Sequence, residues 1–136
     1  KQAADLHTPG FNQRMVAEVL KGGFLERHVP TIRALYKQQR DAMLAALERE
    51  MAGLGVHWNS PQGGMFLWLR LPEGLDATAL LPKAVERNVA FVPGAAFYAD
   101  QADPRTLRLS FVTASAAQID TGIAALAATI RAAQQA

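Results

Sequence analysis

The order of elements predicts a two-layer α+β domain: a short, mainly antiparallel sheet with helices on one face, preceded by a long helix and a leading helix. Three observations carry this. The 136 residues suffice for one ordinary domain, and 50% of them are hydrophobic, so a core can form. The first third of the chain shows helical periodicity only. After Gly55 the pattern alternates between strand and helix, giving helix, helix, strand, strand, helix, strand, strand, helix.

Each element has a local reason. Phe11, Met15, Val16, Val19 and Leu20 recur at helical spacing, and Gly22-Gly23 stops that helix. A second helix is expected to start near Pro30 and to run to about Met51, with Ile32, Leu35, Tyr36, Met43, Leu44 and Leu47 as its apolar stripe. Arg33, Lys37 and Arg40 read as its solvated basic face. Val56-His57-Trp58 is a short strand candidate, and Pro61-Gln62-Gly63-Gly64 a turn. Six of the seven residues Met65–Leu71 are apolar, so both faces of that strand are expected to be covered. Phe66 and Trp68 share one side of it and read as core. Asp76 can cap a helix to about Arg87. Val89–Val92 reads as a strand closed by Pro93-Gly94, residues 95–105 as a loop, and Thr106–Val112 as an alternating strand. Ser115 can cap a last helix, whose Gln134-Gln135-Ala136 tail should fray.

Composition excludes several classes. Lys and Arg number 14 against 12 Asp and Glu, so the net charge of +2 gives no support to a nucleic-acid partner. There is no cysteine, which removes disulfides, thiolate metal sites and a cysteine nucleophile. This fits a reducing compartment, and the expected location is cytoplasmic. No apolar run approaches the roughly 18 residues of a membrane span. The chain opens on Lys1-Gln2-Ala3-Ala4-Asp5, without initiator Met or signal pattern, and reads as a piece of something longer.

Phosphate-loop, zincin, nucleophile-elbow and dinucleotide motifs are absent from the sequence. His7, His28 and His57 share no ligand spacing and read as surface or capping residues. Two features stand out. Arg108 lies inside the apolar strand Leu107-Arg108-Leu109-Ser110-Phe111, where it must reach solvent or meet a carboxylate. Its rigid fork of donors suits a carboxylate gripped by two parallel bonds. The glycine-bearing segments Gln62-Gly63-Gly64 and Pro93-Gly94-Ala95 serve either as turns or as places where backbone approaches a ligand.

Five segments together resemble the C-terminal part of class I/II aminotransferases, fold-type I pyridoxal-phosphate enzymes. They are Thr8–Gln13, Tyr36–Asp41, Pro61–Trp68, Val89–Phe97 and Leu107–Phe111. The likeness is nearest to the 2-aminoadipate and aromatic aminotransferase branch. It implies a small domain, 30–136, that includes an interdomain helix over 30–52 and follows a leading segment, 1–29, that packs on a large domain absent here. It implies that Arg108 binds the substrate α-carboxylate and that Gly64 lines the substrate site. It places the Schiff-base lysine, and the aspartate that pairs with the cofactor's pyridine nitrogen, upstream. None of Lys1, Lys21, Lys37 and Lys83 has the Ser-rich context of that lysine, so no catalytic residue and no cofactor ligand is assigned here. The implied partners are an amino acid, a 2-oxo acid, the large domain and a second copy in a homodimer. The alternative is the aminotransferase-like effector domain of a winged-helix transcription regulator. Gly63-Gly64, a turn such regulators often lose, favours the enzyme.

Overall fold

Asp76 and Ser115 define two helix starts by the same chemistry. In the computed structural model, which describes residues 3, 4 and 6–135, the Asp76 carboxylate accepts from the Thr78 and Ala79 backbone N–H groups. Ser115 and Gln118 form a reciprocal capping box. These caps open α3 (Ala77–Val85) and α4 (Ala116–Gln134). Two helices precede them, α1 (Gly10–Leu20) and α2 (Phe24–Glu50). Four strands complete the fold: β1 (His57–Trp58), β2 (Phe66–Arg70), β3 (Val92–Pro93) and β4 (Thr106–Ser110).

The chain divides into two compact units, Lys1–Leu35 and Tyr36–Ala136. In the first, α1 buries none of its residues. In the second, all strand pairs are antiparallel and the order is β1-β2-β4-β3. Leu67 and Leu69 of β2 and Leu107 and Leu109 of β4 are buried with Met43 and Leu47 of α2, Leu80 of α3, and Ile119, Ile123 and Ile130 of α4. The expected α+β architecture, with helices on one face of an antiparallel sheet, is therefore what the chain adopts.

Several boundaries differ from the sequence reading. The second helix starts at Phe24, not near Pro30, and Pro30 lies inside it. Proline there removes one helical donor, at a cost of about 3 kcal/mol in a helix interior, and the helix continues regardless. Val89 is not yet in the sheet. Its N–H bonds to the Ala84 carbonyl, and Asn88 is left-handed with φ of 60°, so residues 88–89 still close α3. Pairing begins only at Val92, on an edge where Pro93 costs no ladder bond. The segment expected as loop opens with a 3₁₀ turn, Gly94–Phe97. Gln134 is the last residue of α4, and its side-chain amide donates to the Leu54 carbonyl at 3.2 Å; Gln135 follows it outside the helix and exposed. Ala136 lies outside the described residues.

The largest correction concerns the sheet's second face. Phe66, Trp68 and Arg108 alternate with the buried leucines and point away from the helical layer. Phe66 is 38% exposed, so it is not core, and β2 is covered on one face only. The apolar run misled because both of its faces carry hydrophobic side chains.

Gly94 is neither a left-handed turn residue nor an open approach to a ligand. A Cβ on it would stand 2.1 Å from Thr106 Oγ1 and 2.9 Å from the Thr106 backbone carbon. Thr106 is buried, and its hydroxyl donates to the Asp103 carbonyl, so it cannot step aside cheaply. Gly94→Ala is expected to destabilise by about 1–3 kcal/mol. Gly122→Ala is the control. It lies within α4 with open space around its Cβ position, and should stabilise by about 0.5–1 kcal/mol. Urea midpoints of both variants check this.

Candidate functional site

Arg108 sits mid-strand in β4, opposite Trp68 of β2 and Val92 of β3. Its guanidinium carbon lies 4.1 Å from the Phe66 ring centroid and 4.6 Å from that of Phe97. Phe66 pairs with Ser110, so it is the diagonal neighbour of Arg108 on the same face, within reach of a long side chain. Phe97 comes from the 3₁₀ turn that Gly94 presses against Thr106. Trp68 meets Phe97 edge-on at 5.8 Å and lies 6.5 Å from Tyr98. A cleft of about 160 Å³ opens beside Arg108, lined by Phe66, Phe91, Val92 and Ser110.

The arginines of the second unit separate by what they bond. Arg40 donates to the Asp41 carboxylate and, through Nη1, to the Pro61 carbonyl at 3.1 Å. Arg105 donates to Asp103 at 3.2 Å, and Arg70 reaches the same carboxylate at 2.8 Å. Arg108 is half-buried, yet among the described residues it donates to no oxygen. Of the two outcomes its strand position left open, it takes the first: it lies partly exposed on the open face of the sheet and meets no carboxylate among the described residues. Asp41 and Asp103, the carboxylates that Arg40, Arg70 and Arg105 use, are held below the ordinary range. Asp41 is lowered by hydrogen bonds from Lys37 and then Arg40. Asp103 is lowered chiefly by the Arg105 backbone N–H.

Gly64 has φ of 82° and nothing within 4 Å of where a Cβ would stand. The turn that contains it is tied to α2 by the Arg40–Pro61 bond. Arg40 is thus a structural tether rather than part of a solvated stripe. His7, His28 and His57 are exposed, and no group of three metal-ligating side chains exists among the described residues. A larger cleft, of about 630 Å³, lies by the start of α4. Its one charged lining residue is Arg87, which is exposed. Phe97 was missed as a site residue because its segment reads as loop. The aromatic at the end of Pro93–Phe97 was the available signal.

Lys21 pairs with Glu18, Lys37 pairs with Asp41 at 2.6 Å, and Lys83 is exposed on α3. Lys1 lies outside the described residues. No described helix is long and apolar enough to cross a membrane.

The aromatic-amino-acid aminotransferase 1 of Thermococcus litoralis is 47% identical over 131 residues, covering 96% of this chain and 31% of its own length. The crystal structure of LysN, an α-aminoadipate aminotransferase from Thermus thermophilus complexed with N-(5'-phosphopyridoxyl)-L-leucine, superposes with a TM-score of 0.87 at 44% identity. It covers 98% of this chain and 34% of that one. An uncharacterized HTH-type transcriptional regulator of Bacillus subtilis, YisV, is 34% identical over 96% of this chain and 26% of its own length. The chain thus spans about a third of the relatives it matches. The sequence model for aminotransferase class I and II matches residues 1–126, and the chain belongs to that family.

Proposed function

We propose that this chain is the C-terminal small domain of a pyridoxal-phosphate-dependent aminotransferase, moving an amino group between an amino acid and a 2-oxo acid. The observation that carries the reading is Arg108: a half-buried guanidinium held on an open sheet face with its donors unspent. Such a fork is ready for the two oxygens of an α-carboxylate. Gly64, without a side chain and with open space around it, lets that substrate come close to the backbone. The cofactor and its Schiff-base lysine belong to a large domain outside this chain. The leading segment packs on that domain, α2 (Phe24–Glu50) joins the two, and domain closure brings Arg108 to the substrate. Transamination by the full-length protein tests the reading.

The match to a transcription regulator supports a second reading, an effector domain fused to a DNA-binding module. Operator binding by the full-length protein, with no amino-group transfer to any 2-oxo acid, would select it.

Two results are expected of the 136-residue chain itself. Mixed with pyridoxal phosphate and reduced with borohydride, it should show scattered low-level labelling by mass spectrometry. A stoichiometric adduct on one lysine would contradict the placement of the cofactor. The chain should also self-associate. Phe11 is 73% exposed, and Met15, Val16 and Val19 are each more than half exposed, an apolar patch that single domains seldom carry. The same surface is buried in the assembled homodimeric enzyme on this reading. Light scattering that shows a strict monomer would count against it.

A further inference from the structure

We propose that Phe66 and Phe97 are positioning residues for Arg108: their rings hold its guanidinium in a fixed place while leaving all five N–H donors free for the substrate carboxylate. The proposal rests on the reading of Arg108 as the carboxylate receptor and adds the device that orients it.

An arginine on a strand has four side-chain torsions to fix. For two other arginines of this unit the fixing is done by hydrogen bonds. Arg40 commits Nε, Nη1 and Nη2 to protein oxygens, and Arg105 commits Nε to Asp103. A guanidinium tethered that way has fewer donors left for a ligand. Arg108 is held differently. Its charge lies over two ring faces, at 4.1 and 4.6 Å. Attraction between a cation and a ring quadrupole uses no N–H group. The rings also form an apolar flank, so a carboxylate arriving at the fork is paired where water is scarcer and the charge interaction is stronger.

The two rings come from different places, and each is itself fixed. Phe66 is set by the register of β2 on β4, which puts it diagonal to Arg108. Phe97 is set by the 3₁₀ turn that starts at Gly94, and it is braced edge-on by Trp68 at 5.8 Å. Neither ring is needed to fill the core. Phe66 is 38% exposed and Phe97 51% exposed. Aromatic side chains left this open beside a single unpaired arginine have a reason if they serve that arginine.

The test is a double-mutant cycle in the full-length enzyme. Phe66→Leu and Phe97→Leu keep an apolar side chain and remove the ring. Each should raise KM for the amino acid about 2- to 30-fold, the range that loss of one cation–ring contact gives, with a smaller change in kcat. Phe66→Tyr and Phe97→Tyr keep the ring face and should stay near the parent. In an Arg108→Ala background the Leu changes should have no further effect, because there is no guanidinium left to hold. Melting temperatures of the Leu variants should stay close to the parent. Leu variants with parental KM would overturn the proposal. So would losses of equal size with and without Arg108, which would make the rings a direct surface for the substrate side chain. In either case a severe loss in Arg108→Ala alone would leave the carboxylate reading standing. A near-parental Arg108→Ala would remove that reading, and the positioning role with it.

Discussion

Arg108→Ala in the full-length protein is expected to lower kcat/KM by about two to four powers of ten, the loss that follows from breaking a desolvated charge pair worth roughly 3–5 kcal/mol. Arg108→Lys keeps the charge but loses the planar fork, so it should recover only part of this. The change should barely touch the domain's own stability. Among the described residues Arg108 has no hydrogen bond or ion pair to lose, only its contacts with the rings of Phe66 and Phe97. Steady-state transamination and thermal melting separate the two effects. Near-normal efficiency with a large drop in melting temperature would make Arg108 a structural residue and remove the basis of the proposed function.

Phe111→Ala is expected to do the reverse. Phe111 follows β4, is 1% exposed and sits in the core with Leu67, Leu109 and Ile119. Its N–H donates to the Met65 carbonyl, which extends the pairing of β4 with the start of β2 by one bond. Truncating a buried Phe costs about 3–5 kcal/mol, the transfer of the ring plus the cavity it leaves. That is a large part of the 5–15 kcal/mol that holds a typical domain together. The expected loss in melting temperature is about 10–20 °C. Phe66→Ala, in the same sheet but on the open face, should cost far less stability. A melting temperature for Phe111→Ala within a few degrees of the parent would mean the core around it can collapse into the gap.

Sequence and tertiary structure divided the work along a physical line. What depends on groups three or four residues apart was legible. The caps by Asp76 and Ser115 are local hydrogen bonds, and both helices start where those residues stand. The buried stripe of α4, with Ile119, Ile123, Leu126 and Ile130, follows from helical period alone. The one-sided character of β4 was legible too, since Leu107 and Leu109 alternate with Arg108 and Ser110; that of β2, apolar on both faces, was not. Boundaries were less legible where two local signals competed. Pro30 reads as a start, yet the helix begins at Phe24, because one missing donor is a smaller matter than the many bonds on either side of it.

The site was legible only as a residue and not as an arrangement. Arg108 is conspicuous in an apolar strand, and its segment belongs to the pattern that marks the family. What holds it was not readable. Phe66 lies 42 positions away and reaches Arg108 only because β2 and β4 pair in one particular register. Phe97 reaches it only because Gly94 lets the 3₁₀ turn press against Thr106. Arg40 looked like one member of a solvated stripe until its bond to the Pro61 carbonyl tied α2 to the turn before β2. Periodicity says which residues share a face of an element. It does not say what faces them, because that is decided by strand register and close approach between distant segments, which no short window of sequence encodes.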